Sequence, residues 1–118
     1  MAKIDIHRRF CGPPNSGNGG YVCGVIAKDI HGPATAVLTA RPPLEVRLNL
    51  RCEDGIMQLT DAEEAPIGRA VAADRSVLPA PPEAPSMRAA RAAGARYEGF
   101  QKPFHPTCFT CATDRAAG

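Results

Sequence analysis

"NSGNGGYVCGVIAKDIHG", residues 15–32, is the stretch on which the fold turns. Gly17, Gly19 and Gly20 come early in it, and no charged side chain follows until Lys28. Tyr21, Val22, Val25, Ile26 and Ile30 recur at helical spacing, with the small Cys23, Gly24 and Ala27 between them. The pattern predicts a helix from Gly20 to about Ile30. A helix apolar nearly all round is expected to be buried. Gly24 inside it costs about 1 kcal/mol against Ala, so it is expected to admit close approach of another backbone. Gly32 and Pro33 stop the helix.

A Gly-rich turn leading into such a helix can cradle a phosphate, polarise a carbonyl or simply bring the chain into a core. The first reading fails on spacing. Gly17 and Gly19 fit G-x-G, but Val22 stands where a dinucleotide motif needs its third Gly, and no Gly-Lys-Ser/Thr follows.

Working outward, Lys3 to Phe10 reads as a first strand, through Ile4 and Ile6. Cys11 to Gly20 is turn chemistry, with Pro13, Pro14, Asn15 and Ser16 among its residues. Beyond the helix, Ala34 to Ala40 reads as a strand, ended by Pro42 and Pro43. Leu44, Val46, Leu48 and Leu50 alternate with Glu45, Arg47, Asn49 and Arg51, which predicts a strand with one core face and one wet face. Asp54-Gly55 is a two-residue hairpin signal. Ile56 to Thr60 and Ile67 to Ala73 give two further strands. The predicted class is therefore α+β: a curled antiparallel sheet of about five strands around one central helix.

The expected domain spans residues 1–75. Residues 76–85, with Pro79, Pro81, Pro82 and Pro85, read as a linker. Residues 86–118 read as a short Ala-rich helix, capped by Ser86, and a junction tail. The tail ends in "HPTCFTCATDRAAG" rather than tapering into polar residues, so the chain is expected to be one part of something longer.

Composition narrows the function. A chain of 118 residues can bury about two-thirds of its unfolded surface, so it needs no metal or disulfide staple. A net charge of +2 and 5% aromatic residues argue against nucleic acid. No apolar run reaches the ~18 residues of a membrane span. The N-terminal stretch has no signal-peptide pattern, so a cytoplasmic location with five free Cys is expected.

The same order of elements resembles the hotdog fold: strand, turn ending in an "NGG" tripeptide, small-residue-rich apolar helix, then four strands. "GPPNSGNGGYVCGVIA", "ARPPLEVRLNL" and "HPTCFTCATDRAAG" are similar to segments of bacterial thioesterase-like proteins with two hotdog repeats per chain. The resemblance implies an acyl-CoA or similar thioester as ligand and a paired assembly, either a homodimer or a pairing with a second repeat. It implies no cofactor. It also places backbone N–H groups at the helix start against the thioester carbonyl. Gly19 and Gly20 would supply them, and Asn18 would cap the helix or donate to the carbonyl. Arg47 and Arg51 are candidates for the CoA phosphates if their face lines a dimer groove. The family's helix acid, about nine residues after the first residue of the tripeptide, is missing: Ala27 stands there, and the nearest acid is Asp29. The domain is thus expected either to take its base from elsewhere or to be a structural repeat without catalysis.

Other candidates carry plain readings. Cys23 is expected to act as a small core hydrophobe. Asp29 and His31 are two apart and share no helix face. Cys108, Cys111 and His105 supply three possible zinc ligands where a structural site wants four, unless Asp114 or a second chain adds one. The βαβ context of a thioredoxin-like CxxC is absent. The preferred reading is a junction segment with no metal.

Overall fold

In the computed structural model, residues 1–115 are described, and Ala116 to Gly118 of the expected tail lie outside them. Five strands form one antiparallel sheet: β1 (Ala2–Ile4), β2 (Ala34–Leu38), β3 (Leu48–Glu53), β4 (Ile56–Thr60) and β5 (Pro66–Ala72). Their spatial order is β1-β3-β4-β5-β2. Helix α1 (Gly19–Ala27) joins the first two, and α2 (Met87–Ala95) follows the sheet. The α+β class and the five-stranded curled sheet carrying one helix agree with the sequence reading.

The core lies between the sheet and α1. Val22 and Ile26, four residues apart and so on one helix face, are fully buried. They meet Leu48, Leu50, Leu59, Ile67 and Ala70 from β3, β4 and β5. Each fully buried aliphatic side chain contributes about 1.5–3 kcal/mol, so this layer is what fixes α1 on the sheet.

The hairpin between β3 and β4 forms at Asp54-Gly55, with φ of 49° and 78°. Both lie in the left-handed region that a two-residue turn of matching twist requires. Ser86 caps α2 as expected, its Oγ accepting from Ala89 N at 3.2 Å. No residue of α2 is buried.

Four sequence expectations need correction. The first strand is shorter than Lys3 to Phe10. It stops at Ile4, and Arg8–Phe10 form a single 3₁₀ turn. His7 drives this by accepting from Arg9 N through Nδ1 at 3.1 Å. The alternation from Leu44 to Arg51 is a strand only from Leu48 onward. Glu45 sits at φ 59°, its N–H donates to Ile6 O at 3.0 Å, and its carboxylate accepts from Arg8 N. That segment is a loop pinned to the chain around Ile6, and Val46 is left exposed.

The other two concern α1. The helix ends at Ala27, not Ile30, with a turn closed by Ile30 N donating to Ala27 O. Nor is it buried on all sides. The sheet packs on it chiefly through β2, β4 and β5. Gly20 and Gly24 are exposed, and a Cβ at Gly24 would meet nothing within 4 Å. The expected close backbone approach at Gly24 does not occur among the described residues. α1 thus leaves its Gly20 and Gly24 edge uncovered by this chain's described residues, while its apolar side chains are buried or half-buried.

Candidate functional site

The turn ahead of α1 is fastened at several points. Gly12 N donates to Ser16 O, Ser16 N to Pro13 O, Gly17 N to Pro42 O and Asn18 N to Phe10 O, all within 3.1 Å. Gly17 is the close-packed glycine here. A Cβ on it would lie 2.9 Å from Val22 Cγ2 and 3.2 Å from Ile6 Cγ2. Gly19 and Gly20 are under no such pressure, since their nearest contacts for a Cβ are 3.7 and 3.4 Å away. Their lack of a side chain leaves the helix start uncovered instead.

Asn18 is the N-cap. Its Oδ1 accepts from Tyr21 N at 3.0 Å, and its carbonyl accepts from Val22 N at 2.9 Å. Among the described residues the Gly19 and Gly20 N–H groups have no hydrogen-bond partner, as the first N–H groups of a helix do not. They carry the positive end of the helix dipole. Beside them runs a groove of about 450 Å³ lined by Gly17, Gly19, Leu38, Thr39, Arg41 and Pro42, among others. Arg41 is its one charged side chain, and no carboxylate or imidazole lines it. Such a groove can hold an acyl chain against Leu38 and offer N–H to a carbonyl. It holds no general base.

Ala27 packs half-buried against the core at the far end of α1. Asp29 and His31 lie beyond it, both exposed. Cys23 is half-buried, and burial pushes its thiol up, as suits a small hydrophobe.

The two arginines are not brought to this groove. Arg47 is exposed in the segment before β3. Arg51 alternates with the buried Leu50, which sends it to the sheet face away from α1. There it pairs with Glu64 and sits in register with Gln58, which in turn sits beside Arg69.

The carboxyl-terminal tail reaches the other flank of the helix start. Phe109 meets Phe10 and Tyr21 edge-on at centroid distances of 5.3 and 5.9 Å, while Phe10 and Tyr21 stack at 4.0 Å. Phe109 N donates to Cys11 O, Cys11 Sγ to Thr107 O, and Thr107 Oγ1 to Gly12 O. Asn18 Nδ2 donates to Thr110 Oγ1 at 3.0 Å and to Cys108 Sγ at 3.5 Å. Both amide hydrogens are therefore engaged, so Asn18 serves as cap and tether.

Cys108 is 2% exposed and Cys111 is exposed. Ala112 N donates to Cys108 O at 3.0 Å, closing one helical turn that sets the two Sγ atoms 2.7 Å apart across a hydrogen bond. Burial pushes the Cys108 thiol up. Hydrogen bonds from the Cys111 thiol, from the Thr110 hydroxyl and from the backbone around Thr110 and Cys111 outweigh that and bring it down to about 6. Cys111 moves the other way, raised chiefly by its hydrogen bond to Cys108. His105 and Asp114 do not join the pair. Among the described residues no three of His, Cys, Asp and Glu converge as metal ligands would.

Sequence reasoning missed Arg41 and the contact of the tail with Asn18. "ARPP" gave a weak cue for the first, as a lone charge beside two prolines near a strand end. Nothing local signals the second.

No family model, no curated protein and no solved structure matches this chain. Among the described residues no helix is long and apolar enough to cross a membrane.

Proposed function

We propose that this chain is a hotdog-type domain that binds an acyl-CoA or similar thioester at the start of α1. The observation that carries the reading is the pair of unpartnered N–H groups at Gly19 and Gly20 beside the groove containing Leu38 and Arg41. The helical positive end and these donors favour a carbonyl oxygen that gains negative charge. Leu38 offers apolar contact to the acyl chain, and Arg41 offers a cation to the CoA phosphates. Arg51 is occupied by Glu64, so Arg41 takes the role that the sequence suggested for Arg47 and Arg51. The strand order β1-β3-β4-β5-β2 around one helix supports the hotdog assignment.

Hydrolysis needs a group to activate water, and Ala27 leaves α1 without one. Catalysis therefore draws its base from a partner: a second repeat or a second copy. The uncovered Gly20 and Gly24 face of α1 is a place for such pairing. The same two features favour the second reading, a non-catalytic repeat that completes a paired sheet. Under either reading the protein is cytosolic, where free thiols stay reduced by default.

Turnover and binding of a panel of acyl-CoAs, measured with the full natural chain, separate the readings. Release of free CoA supports the enzyme. Saturable binding without release supports a binding repeat. Neither binding nor release leaves the structural role and ends the thioester reading.

A further inference from the structure

We propose that Cys108 and Cys111 form a reversible dithiol–disulfide couple that exchanges with small external disulfides at the start of α1. The two Sγ atoms already lie within 2.7 Å, held on one side of a turn by the Ala112 N to Cys108 O bond. A bonded pair needs the two Sγ atoms to close to about 2.05 Å. The turn itself is anchored on a folded platform. Phe109 is wedged against Phe10 and Tyr21, and Thr107 is bonded to Gly12 and Cys11.

The pair is asymmetric in a way that assigns roles. Cys111 is exposed and meets the incoming disulfide. Cys108 is buried and accepts hydrogen bonds from Asn18 Nδ2 and Cys111 N, which stabilise it as a thiolate. In the first step a solvent base takes the Cys111 proton, and the Cys111 sulfur attacks one sulfur of R–S–S–R. A Cys111–S–S–R bond forms and R–S⁻ leaves. In the second step the departed thiolate has taken that proton back from solvent, and the Cys108 thiolate attacks Cys111 Sγ. The Cys108–Cys111 disulfide forms, and a second R–S⁻ leaves and takes up a proton from water as the Cys108 thiolate charge is lost. Two cysteine sulfurs are oxidised, one external disulfide is reduced to two thiols, and the external thiol reverses the sequence.

A convergent set of three or more metal ligands is what a zinc reading would need, and the described residues present only the pair. Cys11 donates to Thr107 O and Cys52 lies exposed on β3, so neither competes as the partner of Cys108.

The test uses the whole protein in glutathione buffers of set reduced-to-oxidised ratio, followed by alkylation and peptide mass mapping. A Cys108–Cys111 disulfide that appears as the ratio falls and disappears as it rises is the expected result. Cys108→Ser is expected to accumulate glutathione on Cys111. Cys111→Ser, a change at an exposed position, is expected to leave Cys108 unmodified at the same ratios. The proposal is overturned if both cysteines stay alkylatable at every ratio. It is equally overturned if oxidation pairs either one with Cys11, Cys23 or Cys52, or if Cys111→Ser reacts as fast as the native chain.

Discussion

Asn18 Nδ2 donates to Thr110 Oγ1 at 3.0 Å, joining the cap of α1 to a residue 92 positions later in the chain. The same side chain holds Tyr21 N through Oδ1, so one amide both starts the helix and anchors the tail. Asn18→Ala removes both interactions. Loss of a cap costs about 0.5–2 kcal/mol, and the lost tether adds about 0.5–1.5 kcal/mol. Thr110→Val removes only the second. Urea unfolding midpoints are expected to fall in the order native, Thr110→Val, Asn18→Ala. Equal midpoints for all three refute the link.

The glycines divide by their surroundings. Gly68→Ala drives a Cβ to 2.8 Å from Leu38 Cδ2 and 2.9 Å from Val37 O, and Gly17→Ala meets Val22 at 2.9 Å. Each is expected to destabilise by about 1–3 kcal/mol, as overpacking does. Gly24→Ala meets empty space and is expected to stabilise by about 0.5–1 kcal/mol. Thermal unfolding of the three variants decides it, and a destabilising Gly24→Ala would contradict an uncovered helix face.

Cys108 makes stability depend on pH. Its folded value is depressed to about 6, whereas an unfolded thiol titrates at about 8.5. Below about 6 the proton is bound in both states, and above the ordinary thiol value it is lost from both. Between these limits the unfolded chain binds more protons, so stability rises with pH and is lost as pH falls toward 6. Cys111, raised in the fold, reverses the slope above the ordinary thiol value. The reduced protein is expected to show a urea midpoint that climbs from pH 6 to about 8.5, and Cys108→Ser to flatten that climb. A flat native profile contradicts the thiolate.

Arg41 separates recognition of the nucleotide end from recognition of the acyl end. Arg41→Ala is expected to weaken acyl-CoA binding by up to about fivefold, the scale of an exposed ion pair. Binding of an acyl-pantetheine, which lacks the nucleotide phosphates, is expected to stay unchanged. Calorimetric titration with both ligands reads the difference, and an equal loss for both ligands would remove the charge role.

Much of the fold could be read locally. Asp54-Gly55 and the Ser86 cap depend on neighbours a few residues apart, and the structure bears them out, whereas the alternation fails at Asn49, which is buried between Leu48 and Leu50 with its Nδ2 donating to Asp61 O. The loop at Leu44 to Arg47 could not, because Glu45 takes a left-handed φ to bond Ile6, which is a tertiary demand on a residue with no glycine signal. The apolar pattern of α1 marked it as a core helix but did not say that one face stays uncovered by its own sheet. Gly19, Gly20 and Asn18 stood out in the sequence. The groove beside them, Arg41 and the tail at Thr110 depend on contacts between distant segments.

Gly19→Pro tests the central claim most directly. Gly19 is the first helical residue, where Pro is tolerated and its missing N–H costs the helix nothing. Asn18, at φ −63° and ψ 128°, already has the extended conformation that a following Pro requires. The variant thus deletes one carbonyl donor while leaving the helix in place, and Gly19→Ala, which adds a Cβ 3.7 Å from Leu38 Cδ1 but keeps the N–H, is expected to bind as the native chain does. The measurement is calorimetric binding of an acyl-CoA ketone analogue, in which a methylene replaces the thioester sulfur and the carbonyl is kept. The native chain is expected to bind it, and Gly19→Pro to bind up to about tenfold more weakly with an unchanged unfolding midpoint. Equal affinity of the two proteins, or no binding by the native chain, would contradict the account.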